Sequence, residues 1–276
     1  MSAPAPTGVR ALRAADQLAA LLDGDTLPRA VRDIGERVRE RLSSPVRLAV
    51  IGRPGAGKAR LVDGLIGEAL LPAVPGFPPA ELRFGADAVA EVVTADGGAE
   101  RLDRAALEAC DPLTLALVRL TAPLPVLERI TLTVTPLEGD AREAAAALGW
   151  ACRRCDMVLW CARGAAAAED GPLWARLPER LHDHAFLALT AADAHAAEEV
   201  EHHAPRLFRG IHALPEGAAG ADALARLRGD LLAHVSRARR EDLEGALLFL
   251  DYHRPRQTPR RRAAPPGHAP ATADHD

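Results

Sequence analysis

The chain of 276 residues contains a single lysine and no asparagine, so thirty-three of its thirty-four basic side chains are arginine. With so much alanine, that skew is the mark of a GC-rich genome rather than of a particular chemistry. Aromatic residues make up only 3%, too few for the stacking platform that grips single-stranded nucleic acid. The formal net charge of −4 argues against a whole-domain polyanion surface, so no nucleic-acid partner is expected. Long apolar runs are missing as well. The longest uncharged stretch, Ala69 to Ala80, has twelve residues and is full of proline, whereas a membrane-spanning helix needs about 20 apolar residues. The opening Met1-Ser2-Ala3-Pro4 lacks the basic head and apolar stretch of a secretory signal. Four cysteines make no disulfide framework, and the expected location is the reducing cytoplasm.

What is present is core material: 48% of residues are hydrophobic and 26% charged, the balance of a globular chain. Leu12, Leu18, Leu21 and Leu22, then Val31, Ile34, Val38 and Leu42, recur at helical spacing. Gly24-Asp25 and Pro28 separate the two runs. Residues 1–44 are therefore expected to form an N-terminal helical hairpin. Val46–Ile51 follows as a buried strand, then a glycine turn and a helix to about Ala69. Further strands are expected at 88–94, 115–121, 129–134, 156–161, 185–190 and 207–213, and helices at 103–109, 140–153, 170–182 and 194–204. Such alternation implies parallel pairing with helices on both faces. Residues 45–219 thus read as a three-layer α/β domain. A last helix, 220–252, carries leucines down one side and is expected to pack on the N-terminal pair in a small bundle. Residues 253–276, rich in proline and arginine, read as a disordered tail.

The sharpest signal is Gly52-Arg53-Pro54-Gly55-Ala56-Gly57-Lys58, which fits the phosphate-loop pattern G-x-x-x-x-G-K. Glycines let successive N–H groups turn inward toward phosphate oxygens. The helix that follows presents its positive end, and the lysine adds a point charge. Two glycines at fixed offsets from the one lysine arise by chance with a probability of about 0.006, given 22 glycines in the chain. The candidate phosphate-binding residues are Gly52, Arg53, Pro54, Gly55, Ala56, Gly57, Lys58, Ala59 and Arg60. Ala59 departs from the pattern, because a serine or threonine there holds magnesium through its hydroxyl.

The segment Leu61-Val62-Asp63-Gly64-Leu65-Ile66-Gly67-Glu68-Ala69-Leu70-Leu71-Pro72 resembles the stretch after the phosphate loop in bacterial dynamin-like GTPases. Leu117–Leu127, with Pro123 and Pro125, and the leading helical hairpin resemble that family too. The resemblance implies a phosphate-loop GTPase fold of the G-domain type, with GTP or GDP as ligand. Set beside the family's other motifs, the chain departs at three metal positions. Ala59 is one. The switch that should close a threonine on magnesium contains no serine or threonine between Arg60 and Val93, with Pro75-Gly76-Phe77-Pro78-Pro79 in its place. The strand Ile130–Thr133 leads into Val134-Thr135-Pro136-Leu137, where the resemblance calls for a metal-binding aspartate at Val134. The base-reading motif T-K-x-D is matched by Thr190-Ala191-Ala192-Asp193, so Thr190 and Asp193 are the base-binding candidates.

Magnesium is held by few protein oxygens, so losing all three leaves none to anchor it, and neither Glu138 nor Asp140 lies where the ligand belongs. No catalytic residue and no protein-held metal are expected. The expected function is a pseudo-GTPase that serves as a regulatory or scaffolding partner of another GTPase subunit, or as a homodimer. Two alternatives stand beside it: a slow GTPase at a membrane, and an interaction module that binds no nucleotide. At this length the family's stalk and membrane paddle are not expected.

Weaker features have plainer readings. Cys152, Cys155 and Cys161 read as buried thiols rather than a zinc site, which needs four ligands. His202-His203 with Glu198, Glu199 and Glu201 reads as a charged helix face, and Trp150, Trp160 and Trp174 as packing residues. Arg254, Arg256 and Arg260–Arg262 offer a peripheral contact to anionic lipid, against the plainer reading of a solvated tail.

Overall fold

The computed structural model describes residues 6–24, 27–72, 76–203 and 207–253. The tail arginines and Pro75 lie outside these.

Two amphipathic helices open the chain, α1 (Pro6–Leu22) and α2 (Arg29–Ser43). Then β1 (Val46–Gly52) leads through the glycine turn into α3 (Lys58–Ile66). Next come β2 (Ala80–Phe84), β3 (Val89–Thr94), β4 (Ala99–Leu102), α4 (Arg104–Ala109) and β5 (Leu115–Ala122). The remaining elements are β6 (Ile130–Pro136), α5 (Ala141–Cys152), β7 (Met157–Arg163), α6 (Gly171–Trp174), β8 (Ala185–Thr190), α7 (Ala194–His203), β9 (Gly210–Leu214) and α8 (Ala218–His253).

The strands form one nine-stranded sheet in the order β4-β3-β5-β2-β6-β1-β7-β8-β9. Five of the eight pairings are parallel; the antiparallel ones are β2 with β6, β3 with β5, and β3 with β4. Strand β1 therefore lies between two parallel neighbours, and sites in open sheets form at the carboxyl ends where strand order reverses. Apolar side chains cover both faces. Leu61, Val62, Leu65 and Ile66 of α3 pack with Ala223, Leu227, Leu231 and Val235 of α8 on one face. Ala144 and Leu148 of α5, Trp174 of α6 and Val200 of α7 pack on the other. This is the three-layer α/β arrangement read from the sequence. The far half of α8 leaves the sheet, and its Leu243, Ala246 and Leu250 close a separate apolar cluster with Leu18, Leu22 and Leu42 of the first two helices.

Three local expectations give way. The helix expected over 170–182 is broken into a 3-10 turn (164–170), the single turn of α6 and another 3-10 turn (179–184). Pro172 and Pro178 explain this, since proline cannot continue a helix it interrupts. Strands β2 and β4 were not foreseen. One follows a proline-rich run, and the other is a charged edge strand folded back through Asp96-Gly97-Gly98. The strand expected at 207–213 begins three residues later, at Gly210.

Candidate phosphate-binding site

At the end of β1 the chain has little room. A Cβ added at Gly52 would run into the carbonyl oxygen of Cys161 on β7, so only glycine lets the two strand ends approach this closely. Gly55 and Gly57 have φ of 76° and 79°, in the left-handed region that favours glycine. Ala56 N–H donates to the Arg53 carbonyl at 3.2 Å, closing the turn. Helix α3 starts immediately, with no side chain capping it. Its opening amides have no intrahelical acceptor. Lys58 Nζ spans the loop and donates to the carbonyls of Gly52 at 2.9 Å and Arg53 at 2.8 Å. Burial holds its pKa below the usual lysine value, so an arriving anion would favour its charged form.

Two tethers that sequence reasoning missed fix this loop. Asp170, in the turn after β7, is only 2% exposed. Its Oδ1 accepts from Arg53 Nε at 2.7 Å and its Oδ2 from Trp160 Nε1 at 2.9 Å. Trp160 is fully buried and meets Trp174 edge-on. A buried carboxylate is tolerated only when it is paired and hydrogen-bonded, and both of its oxygens are engaged. On the other side, the Thr190 hydroxyl lies between the carbonyls of Ala56 at 3.1 Å and Ala162 at 3.3 Å. It joins the end of β8 to the loop.

Toward β6 the surroundings are largely apolar, apart from the Thr135 hydroxyl, buried with no partner among the described residues, and Glu138, whose charge acts on Lys58. Val134 is buried in the same cluster as Val50 and Ala56, with Ala59 packed against it. Glu138 is exposed. Asp140 is occupied in a capping box at the start of α5, reciprocated by Glu143. Asp156 sits at the opposite end of the sheet, paired with Arg47. Among the described residues no three His, Cys, Asp or Glu side chains converge as metal ligands. The Cys152, Cys155 and Cys161 thiols are free and buried, and burial pushes them up to about 11, 12 and 12. Of the histidine and glutamate group on α7, the side chains of Glu201 and His203 lie outside the described residues, and His202 Nδ1 meets the backbone oxygen of Glu198.

Beside the cradle opens a cleft of about 290 Å3, lined among others by Gly57, Arg60, Arg163, Thr190, Glu216 and Leu224. Asp193 is not part of the lining. Its Oδ1 accepts from Ala196 N–H at 3.0 Å, at the start of α7.

The strand, glycine turn, lysine and helix at the centre of a three-layer sheet define an α/β phosphate-loop fold. No family model matches the sequence, and no curated protein does. Solved structures do match in shape. One chain of an oligomerised bacterial dynamin pair, described as a mechanism for long-range sensing and tethering of membranes, has a TM-score of 0.63 at 12% identity. The match covers 92% of this chain and 56% of that one. A second chain described in the same words has a TM-score of 0.57 at 17% identity, over 90% of this chain and 44% of the other. The chain thus has the fold of a dynamin-like G domain and spans about half the length of the solved chains it matches.

Proposed function

We propose that this chain binds a guanine nucleotide, GTP or GDP, by its phosphates, through Gly52 to Arg60, and that it has lost magnesium-dependent hydrolysis. The observation that carries the reading is the Lys58 ammonium set inside a turn of left-handed glycines at the head of α3. Those are the groups an anionic oxygen needs. The carbonyls that now accept from Lys58 mark where its proton donors are held, and phosphate oxygens would take their place.

The magnesium that the fold family implies does not fit the side chains here. Ala59 and Val134 have no oxygen to offer, and Val134 lies in the core. Asp140 is committed to capping α5, and both oxygens of Asp170 are committed to Arg53 and Trp160. Glu138, whose charge reaches Lys58, is exposed past the end of β6; with no side-chain oxygen at positions 59 and 134, the charge neutralisation that phosphoryl transfer requires is missing. A regulatory or scaffolding role follows, acting on another GTPase or on a second copy of this chain. It is supported by the fold shared with an oligomerised pair described as tethering membranes. No helix among the described residues is long and apolar enough to cross a membrane, so any membrane contact is proposed as peripheral, through the arginines after residue 253.

A second reading, an interaction module that binds no nucleotide, draws on the loop's closure on itself through Lys58. Thermal unfolding separates the two. A ligand bound only by the folded state stabilises it by about 2.7 kcal/mol at a hundredfold excess over Kd. GTP and GDP should raise Tm equally in magnesium and in EDTA, and Lys58→Ala should abolish the rise. Absence of any shift favours the interaction module. Magnesium-dependent phosphate release that Lys58→Ala removes would make the protein a slow GTPase instead.

A further inference from the structure

Strands β7, β8 and β9 end side by side, with Arg163 in register with Thr190, and Thr190 with Leu214. Neighbouring strands lie about 4.8 Å apart. Thr190 and Ala191 therefore form the middle of the cleft floor, flanked by Arg163 on one side and by the turn Leu214–Gly217 on the other. Ala191 carries the chain across this floor at a φ of 51°, a strained value for a residue with a side chain. Its methyl leaves the floor low. Pro215 and Leu224 add apolar wall, and Glu216 is the one carboxylate in the lining. The two groups that the motif pattern assigns to the base are engaged elsewhere. The Thr190 hydroxyl lies between two backbone carbonyls, and Asp193, outside the lining, spends an oxygen at the start of α7.

We propose that Glu216 and Arg163, not Asp193, read the base of the bound nucleotide, and that this pair selects guanine; the inference rests on the phosphate-binding reading above. Guanine presents two adjacent donors, N1–H and the N2 amine, followed by the O6 acceptor. A carboxylate accepts from both donors, and a guanidinium, which has only donors, serves O6 or stacks on the ring. Adenine has a bare nitrogen where guanine has N1–H, so its edge meets the carboxylate with a lone pair. The two groups come from opposite flanks of β8, which spaces them across the width of a purine.

Titration calorimetry on the full chain tests this with GDP, ADP, XDP and inorganic tripolyphosphate. The wild type should bind GDP at least tenfold more tightly than ADP. Glu216→Gln should weaken GDP by about tenfold to a hundredfold, the range for losing hydrogen bonds to a charged group, and leave tripolyphosphate unchanged. The same variant should turn the preference toward XDP, because an amide both accepts from N1–H and donates to the C2 carbonyl of xanthine. A folding defect cannot produce that gain. Asp193→Asn should change GDP affinity by less than about threefold, since an exposed group outside the cleft loses no base contact. Equal binding of GDP and ADP, an unchanged GDP-to-XDP ratio in Glu216→Gln, or loss of GDP binding in Asp193→Asn overturns the assignment while tripolyphosphate binding keeps the phosphate reading standing. Failure of tripolyphosphate and all three nucleotides alike overturns the phosphate reading, and the base assignment falls with it.

Discussion

Toward β7 and β8, the phosphate loop is held by polar side chains on distant segments: Asp170 on Arg53 and Thr190 on the Ala56 carbonyl. Toward β6, the loop meets hydrocarbon, with Val134, Val50 and Ala59 packed into the core. On the cradle side both oxygens of the buried Asp170 are paired, which is costly to build and costly to break. On the β6 side the buried Thr135 hydroxyl has no hydrogen-bond partner among the described residues. A turn surviving only as scaffold would not need Arg53 fixed by a carboxylate that is 2% exposed. That asymmetry supports reading the loop as a working anion site whose neighbouring metal positions have been given up.

The harshest way to break the comparison is to put an acid on the apolar side. Val134→Asp buries an uncompensated carboxylate and should cost about 3–5 kcal/mol in the absence of ligand, a fall in Tm of roughly 6–20 °C. Combined with Ala59→Ser, it supplies two oxygen-bearing side chains beside Lys58. Magnesium with GTP should then recover part of the lost stability, and EDTA should remove the recovery. A double variant indifferent to magnesium would mean that this side never faced a metal.

Next in size is the anchor on the polar side. Asp170→Ala leaves the indole N–H of the fully buried Trp160 without a partner and releases Arg53. We expect a loss of about 3 kcal/mol, or roughly 6–12 °C in Tm, with nucleotide affinity falling alongside. Asp170→Asn keeps acceptor capacity and should lose less than half as much. Equal losses in the two variants would show that charge rather than shape holds Arg53.

A smaller effect lies under α8, away from the loop. His234 Nε2 and His184 Nδ1 are 2.8 Å apart, and burial, helped by His184, Arg209 and Arg237, lowers the pKa of His234 to about 4, with Glu241 opposing. The folded protein thus keeps His234 neutral, while the unfolded chain takes up that proton below about pH 6.5. Stability from this group is complete above pH 6.5 and is lost as pH falls toward 4. Tm should drop by a few degrees across that window, and His234→Gln should flatten the decline. A slope that is the same in both proteins would assign it to other groups.

How much of this could be read beforehand depended on sequence distance. The glycines and Lys58 occupy seven consecutive positions, and the turn they form is local. Continuous apolar runs located β1, β7 and β8, as buried parallel strands require, and alternating ones located β5 and β6. Strand β2 was hidden because its five residues include Glu81 and Arg83, and β4 because three of its four residues are exposed or charged. Asp170 follows a run of alanines and a glutamate, and nothing nearby marks it as the partner of a loop 117 positions earlier. Glu216 likewise looks like an ordinary turn residue until β9 brings it to the cleft.

The gentlest probe concerns Thr190, where tether and packing can be separated. Its hydroxyl serves the Ala56 and Ala162 carbonyls, while its Cγ2 lies 3.3 Å from where a Cβ on Gly57 would stand. Thr190→Val preserves the shape and deletes the donor. Thr190→Ser preserves the donor and deletes the methyl. Losing a single hydroxyl donor costs about 1 kcal/mol, and the Ala56 carbonyl lies in a loop that water can reach, so the cost in Tm should be only about 2–4 °C. The consequence for binding should be larger in proportion. A loop free to shift by a few tenths of an ångström no longer presents its amides together, and nucleotide affinity should fall several-fold in Thr190→Val but not in Thr190→Ser. If serine proves the worse replacement, the methyl under Gly57 sets the loop's shape, and the hydroxyl merely satisfies a carbonyl.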